Sequence, residues 1–167
     1  MRNLFILAVL ILFVAAPAMA QETPQAEFFG GYEYERLNPG GVNCHGFGAN
    51  AAYNFNNWLG GVADFGICNA PDAGFHNATY LFGPRVSYRS YGSLTPFGQL
   101  LIGDDHVAGG GSASDSFALT LGGGADYKLT DHVSLRGQVE YLHTHFGGTG
   151  QNNARIEAGI VYRWGRR

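Results

Sequence analysis

Every second residue from Ala154 onward is apolar: Ala154, Ile156, Ala158, Ile160, Tyr162 and Trp164. Between them lie Asn153, Arg155, Glu157, Gly159, Val161 and Arg163. A period of two over Gln151–Trp164 predicts a β-strand. One face is apolar and ends in two rings, while the other carries alternating charge. Such a strand calls for hydrocarbon on one side and an enclosed polar space on the other. That is the wall of a transmembrane β-barrel.

The same period recurs along the chain. It predicts strands over Glu27–Arg36, Val42–Phe55, Trp58–Cys68, Thr79–Arg89, Thr95–Asp104, Ser116–Leu129 and His132–Phe146. Asn56-Asn57 and Thr130-Asp131 read as tight turns, and Asn69–Ala78 and the Gly/Ser-rich Asp105–Asp115 as longer loops. Pro84 cannot donate to a ladder and predicts a bulge or local break in the fourth strand. Eight strands with alternating short and longer connections, and no helical period between them, predict an all-β, eight-stranded, antiparallel up-and-down transmembrane β-barrel. The tight turns are then expected at the periplasmic side.

Periodicity alone leaves open which face is inside, since a lipocalin-like soluble barrel would reverse the two. Volume decides. The apolar set includes Tyr32, Tyr34, Phe47, Tyr53, Phe65, Tyr80, Phe82, Tyr88, Tyr127 and Tyr141 as well as Tyr162 and Trp164. An eight-stranded barrel is only just wide enough for side chains to fill it, and these rings would overpack it. The other set interleaves charges with small residues. Its acids are Glu33, Glu35, Asp64, Asp126, Glu140 and Glu157; its bases are Arg85, Arg89, Lys128, Arg136, Arg155 and Arg163. Buried charges are tolerated when paired and hydrogen-bonded, so this balanced set predicts a salt-bridged plug of side chains rather than an open pore.

Composition agrees. Charged residues make up 14% of the 167, aromatics another 14%, and there are 26 glycines. A formal net charge of −3 gives no basic footprint for nucleic acid. Residues 1–20 read as a secretory signal peptide, with Arg2, the apolar Leu4–Val14 and the small-residue site Ala18-Met19-Ala20. Residues 21–26 follow as a short leader, 27–164 as the barrel and 165–167 as a C-terminal tail. A hairpin centred on Asn56 sets Cys44 opposite Cys68 on the lumen face. In an exported chain this makes them a candidate disulfide, with two unlinked thiols the alternative if a bulge shifts the register.

Four stretches carry a resemblance to the small OmpA-type outer-membrane β-barrel proteins. They are Gly30-Gly31-Tyr32-Glu33-Tyr34, the segment from Trp58 to Phe65, Phe82-Gly83-Pro84-Arg85 and the segment from Leu121 to Lys128. The resemblance implies a bacterial outer-membrane location, outer-membrane lipid as surroundings and the outer-membrane assembly machinery as a partner during biogenesis. The last strand resembles the C-terminal signal read by that machinery, with Glu157, Gly159, Tyr162 and Trp164 at its marked positions. The family usually stops at the last aromatic, whereas this chain continues with Gly165-Arg166-Arg167.

Candidate chemistry is sparse. His132-Val133-Ser134 is similar to the His-x-Ser of barrel deacylases, but the alternation turns both residues into the lumen at the end with the tight turn. His143 and His145 share the lipid face near the outer rim without the carboxylate or cysteine of a metal site. Ser112, Ser114 and Ser116 share a loop with His106, Asp104, Asp105 and Asp115, which a glycine-rich loop is ill suited to fix as a catalytic triad. Gly109-Gly110-Gly111 lacks the Gly-Lys-Ser/Thr of a phosphate loop. The sequence therefore implies no catalytic residue, cofactor or metal, and no legible surface ligand. The expected role is structural or surface-interacting, with a narrow small-solute channel or a lipid A-modifying barrel enzyme as alternatives.

Overall fold

A computed structural model describes residues 23–165 apart from 39, 72, 73, 90, 91, 110, 147 and 148. The expected signal peptide and residues 166–167 of the tail lie outside the described residues. Eight strands follow in order: β1 (Ala26–Leu37), β2 (Val42–Asn54), β3 (Leu59–Ala70), β4 (Phe75–Ser87), β5 (Leu94–Gly109), β6 (Ser112–Lys128), β7 (Val133–Phe146) and β8 (Thr149–Trp164). Each pairs antiparallel with its neighbours, and β1 pairs with β8 to close the barrel.

The seam that closes the barrel depends on glycine. Gly31 of β1 is the ladder partner of Gly159 of β8. A Cβ on Gly159 would come within 2.3 Å of the Gly30 carbonyl oxygen, and one on Gly31 within 2.4 Å of the Ala158 oxygen. Neither position has room for a side chain.

Three expectations are corrected. The strands run further than the hydrophobic pattern does. Asp105–Asp115 is not a loop: β5 and β6 stay paired out to Gly109 and Ser112. Most of Asn69–Ala78 likewise belongs to β3 and β4. Above the membrane a strand no longer needs an apolar face, so its period fades while its ladder continues. The connections accordingly do not alternate in length; as the strand limits place them, they span between two and six residues. Finally, β2 and β3 pair with Asn50 against Asp64 and Gly46 against Cys68, which puts the hairpin one position beyond Asn56. Around Pro84 the ladder to β5 omits Gly83 and Pro84 but resumes in the same register at Arg85. The proline makes a local break, with no bulge.

The two faces separate sharply. Leu121, Phe82, Val139 and Trp164 are 59–61% exposed, whereas Arg155 is 0% and Arg85 1% exposed. Outward rings form two belts. Tyr53, Phe55, Trp58, Tyr88, Tyr127, Tyr162 and Trp164 ring the end where the barrel's first and last strands meet the bulk, the terminal rim; Tyr32, Phe47, Tyr80, Phe117 and Tyr141 ring the far rim. Ala51, Ala63, Leu100, Leu121, Val139 and Ile156 lie outward between them. An apolar surface this continuous is unsustainable in water. Two aromatic girdles around an apolar band, in which Phe28 and Phe82 also lie, are what a bilayer requires.

Candidate functional site

The lumen divides along the barrel axis. Towards the terminal rim, Glu27 is the hub. Arg89 Nη2 lies 2.7 Å and Arg136 Nη2 3.2 Å from its carboxylate, with Arg85 Nη1 at 3.8 Å. Arg136 also grips Asp126 with two donors, Nε at 2.6 Å and Nη2 at 2.8 Å. Arg163 approaches Asp126 at 3.7 Å. Arg85 and Arg136 each sit over the Phe97 ring, 4.6 Å from its centroid, so their flat faces are covered as well as their edges.

The far half is organised by Arg155. Its Nη2 donates to Asp64 at 2.9 Å and its Nε to Glu140 at 2.7 Å, while Nη1 donates to Thr79 at 3.3 Å. Glu33 and Glu157 lie just beyond, at 3.8 and 3.9 Å. Gln138 donates to Glu157 and Gln99 to Glu140. Asn50 joins the halves. Its Oδ1 accepts from Arg136 at 3.2 Å, and its Nδ2 donates to Asp64 at 3.2 Å.

Above Arg155 lie Glu35 and Asp105, both fully buried, and above them the lumen is capped. Cys44 and Cys68 form a disulfide there, packed with Ala70, Leu37, Val42 and Phe75. The Cys68 sulfur is 3.6 Å from Glu35 Oε2, a van der Waals contact since a disulfide sulfur carries no proton. A second apolar cluster inside the barrel joins Ala52, Val62, Leu81, Leu101, Ala118 and Leu142. The plug is therefore lined by apolar side chains along β2 to β7, beyond the charges interleaved with small residues that the alternation suggested.

Of the twelve charges expected in the lumen, Glu33, Glu35, Asp64, Arg85, Asp126, Arg136, Glu140, Arg155 and Glu157 are buried there. Arg89 and Arg163 reach in from the terminal rim, their side chains 9% and 11% exposed. Lys128 does not join them. It closes β6 at the rim, where its side chain stands in solvent 2.7 Å from Asp131. Two buried acids escaped the sequence reading. Glu27 stood at the first residue of its predicted strand, and Asp105 was assigned to a loop. Both carry the inward parity of their strands, which was the available signal. The charges are consequently unbalanced: among the described residues, eight buried carboxyl groups face five inward arginines.

The candidate catalytic groups are pulled apart. His106 Nδ1 meets Asp115 Oδ1 at 2.5 Å on the outer face, whereas Ser116 points inward and donates to the Phe117 carbonyl. Ser134 is buried in the lumen, but His132, expected beside it, lies outside the strand and stacks on Tyr162 with ring centroids 6.3 Å apart. His143 Nδ1 is 2.8 Å from Asn152 Oδ1, which also accepts from Tyr141. In the C-terminal strand, Tyr162 and Trp164 face outward, Glu157 faces the lumen and Gly159 sits at the seam.

A closed eight-stranded barrel with two aromatic girdles and a charge-filled lumen defines the chain as a small transmembrane barrel of the bacterial outer membrane. The sequence matches the family model of the outer membrane protein beta-barrel domain over residues 6–163, and the chain belongs to that family. Among solved structures it is similar to Neisserial surface protein A, at 17% identity and a TM-score of 0.70, covering 86% of this chain and 99% of that one. It is also similar to Ail, the attachment invasion locus protein of Yersinia pestis, at 18% identity and a TM-score of 0.54, covering 83% and 99%. The N-terminal β-barrel domain of Pseudomonas aeruginosa OprF aligns at 12% identity and a TM-score of 0.60, covering 85% and 100%. These likenesses concern the fold. No curated protein matches the sequence.

Proposed function

We propose that the protein is a non-conducting structural barrel whose lumen is a salt-bridged plug and whose far rim is a stiff platform for surface contact. The observation that carries this reading is the Arg155 cluster, which ties β8 to Asp64 on β3, Thr79 on β4 and Glu140 on β7 across the barrel's interior. Side chains that meet across the lumen among the described residues support a closed interior, and the disulfide with its apolar neighbours supports the same reading at the far rim. The paired extension of β5 and β6 supports the platform: its outward residues Asp104, His106 and Asp115 are presented on ladder-bonded strands, not on a loose loop.

Conductance across a planar bilayer tests this function directly. The purified barrel is expected to give no stepwise current in molar salt; regular unitary steps would favour the small-solute channel. Catalysis on lipid A finds no support in residues that the alternation places on opposite faces, and lipid A mass spectra with and without the protein are expected to be identical.

A further inference from the structure

Beside the girdle at the far rim, the outer face of β7, β8, β1 and β2 repeats one arrangement. On β1 and β2, Tyr34 Oη donates to Asn43 Oδ1 at 2.8 Å, and Arg36 Nη1 donates to the same oxygen at 2.9 Å. On β7 and β8, Tyr141 Oη donates to Asn152 Oδ1 at 2.6 Å. An amide oxygen has no proton to give, so His143 Nδ1, 2.8 Å away, donates to it as well. Asn38 Nδ2 donates to the Asn152 carbonyl oxygen at 3.1 Å and holds that backbone in place. Arg36 and Tyr141 are both ladder partners of the exposed Ala154, whose small side chain leaves a notch between the two groups.

These bonds leave a lopsided remainder. Each asparagine has committed its acceptor and keeps its amide N–H donors, and Arg36 keeps most of its guanidinium. The other described arginines, Arg85, Arg89, Arg136, Arg155 and Arg163, all have carboxylate partners. Arg36 is exposed and has none among the described residues. Nor does any described Asp or Glu share this outward face from β7 round to β2. A surface with spare donors and an unpaired arginine is complementary to an anion, and the guanidinium fork suits phosphate.

Position narrows the anion. The two groups lie beside the girdle tyrosines Tyr32 and Tyr141, at headgroup level. Nearer the middle of the same strands, Ala158 and its ladder partner Gly137 face outward, and nothing lies within 4 Å of a Cβ added at Gly137. The wall is low there, with room for an acyl chain. Asn43 on β2 and Asn152 on β8 stand on either side of β1, two strand spacings or about 10 Å apart. One phosphate cannot reach both, whereas a phosphorylated sugar can.

We propose that this notch binds a glycolipid of the surrounding leaflet through a phosphorylated sugar headgroup. Its phosphate lies on Arg36 and the Asn43 amide, its sugar oxygens on the Asn152 amide, and an acyl chain runs past Ala158 and Gly137. Such a site works in the same way whether or not the lumen conducts.

The purified barrel, folded in detergent micelles, is titrated with diphosphorylated lipid A, and retained lipid is counted by native mass spectrometry. The expected result is saturable retention of one lipid A per barrel, with dephosphorylated lipid A and phosphatidylglycerol both held far more weakly. R36Q, at an exposed position, is expected to keep heat-modifiable migration and to lose about tenfold or more in affinity, the worth of a hydrogen bond to a charged group. R36K is expected to recover part of the loss, and K128Q, at the terminal rim, to bind like the parent. N152A is expected to weaken lipid A while leaving the residual binding of phosphatidylglycerol unchanged. Absence of saturable retention by the parent, or undiminished binding by folded R36Q, would overturn the proposal. Equal retention of phosphatidylglycerol would give the notch to a phospholipid and overturn the sugar assignment.

Discussion

Cys68 is bonded to Cys44, yet the ladder sets it across from Gly46. The bridge is diagonal. It forms because Gly46 carries no side chain: a Cβ there would fall 1.7 Å from the Ile67 carbonyl oxygen, so β2 and β3 run close enough to bring the two cysteine Cα atoms to 5.5 Å. The bond closes a loop with a sequence separation of 24 residues at the top of the lumen. C44S/C68S is expected to assemble with normal heat-modifiable migration but to lose about 3 kcal/mol of stability from the freed unfolded chain. Urea unfolding in lipid vesicles, with and without reductant, measures this; reductant is expected to move the parent's midpoint towards that of the variant and to leave the variant's alone.

Arg155 holds the far half of the lumen together, so its removal strands several charges at once. Arg155→Leu leaves Asp64 and Glu140 without their main donor, in an interior where neither can reach water. Breaking a buried pair from one side costs about 3–5 kcal/mol. The urea midpoint of R155L is expected to fall accordingly. R89L, whose partner Glu27 keeps Arg136 and Arg85, is expected to fall by less than half as much.

The glycine seam predicts a contrast between two positions on neighbouring strands. Gly159→Val forces a side chain into the backbone of β1, so β8 cannot close the barrel. Gly137, on β7, has nothing within 4 Å of an added Cβ. G159V is expected to fail to give the heat-modifiable band, while G137A folds like the parent.

Depth in the bilayer gives a further test. Leu121 lies outward between the girdles, and Leu129 lies outward at the terminal rim, 52% exposed. An arginine facing lipid costs about 2–4 kcal/mol at the midplane and about 0–1 near the interface. L121R is therefore expected to be strongly destabilised in vesicles and L129R scarcely at all. Equal effects would mean that the two positions see the same solvent.

Much of this was legible in the chain because lipid-facing strands leave little choice. Tyr162, Trp164, Leu121 and Phe82 can face only hydrocarbon once the lumen is too narrow for them, and the charges opposite must then face inward. What stayed hidden lies where that constraint ends. Asp105 and the segment to Asp115 lost their apolar period above the membrane and read as a glycine-rich loop, although backbone pairing continued. Lys128 kept the inward parity of Asp126 but sits on the last residue of β6, where the wall ends and the side chain turns to Asp131. His132 failed in the same way one turn later. Glu27, at the predicted strand's first residue, has the opposite outcome because Arg89 reaches it from the rim while Arg136 and Arg85 meet it from within. Parity assigns a face, but the ends of a strand decide whether that face is covered. Asn50 escaped because an uncharged amide in an alternating strand looks the same whether it bridges two clusters or merely fills space.

The central claim, that the ring-bearing face lies against hydrocarbon, is tested most directly by fluorescence quenching from brominated lipid. With both native tryptophans, Trp58 and Trp164, replaced by Phe, a single tryptophan is placed by Leu121→Trp and the protein is folded into vesicles whose acyl chains carry bromine near the bilayer centre. The account predicts deep quenching by the brominated chains and protection from iodide in the aqueous phase. An unquenched tryptophan that iodide reaches freely would place this face in water and contradict the barrel's assignment to the membrane.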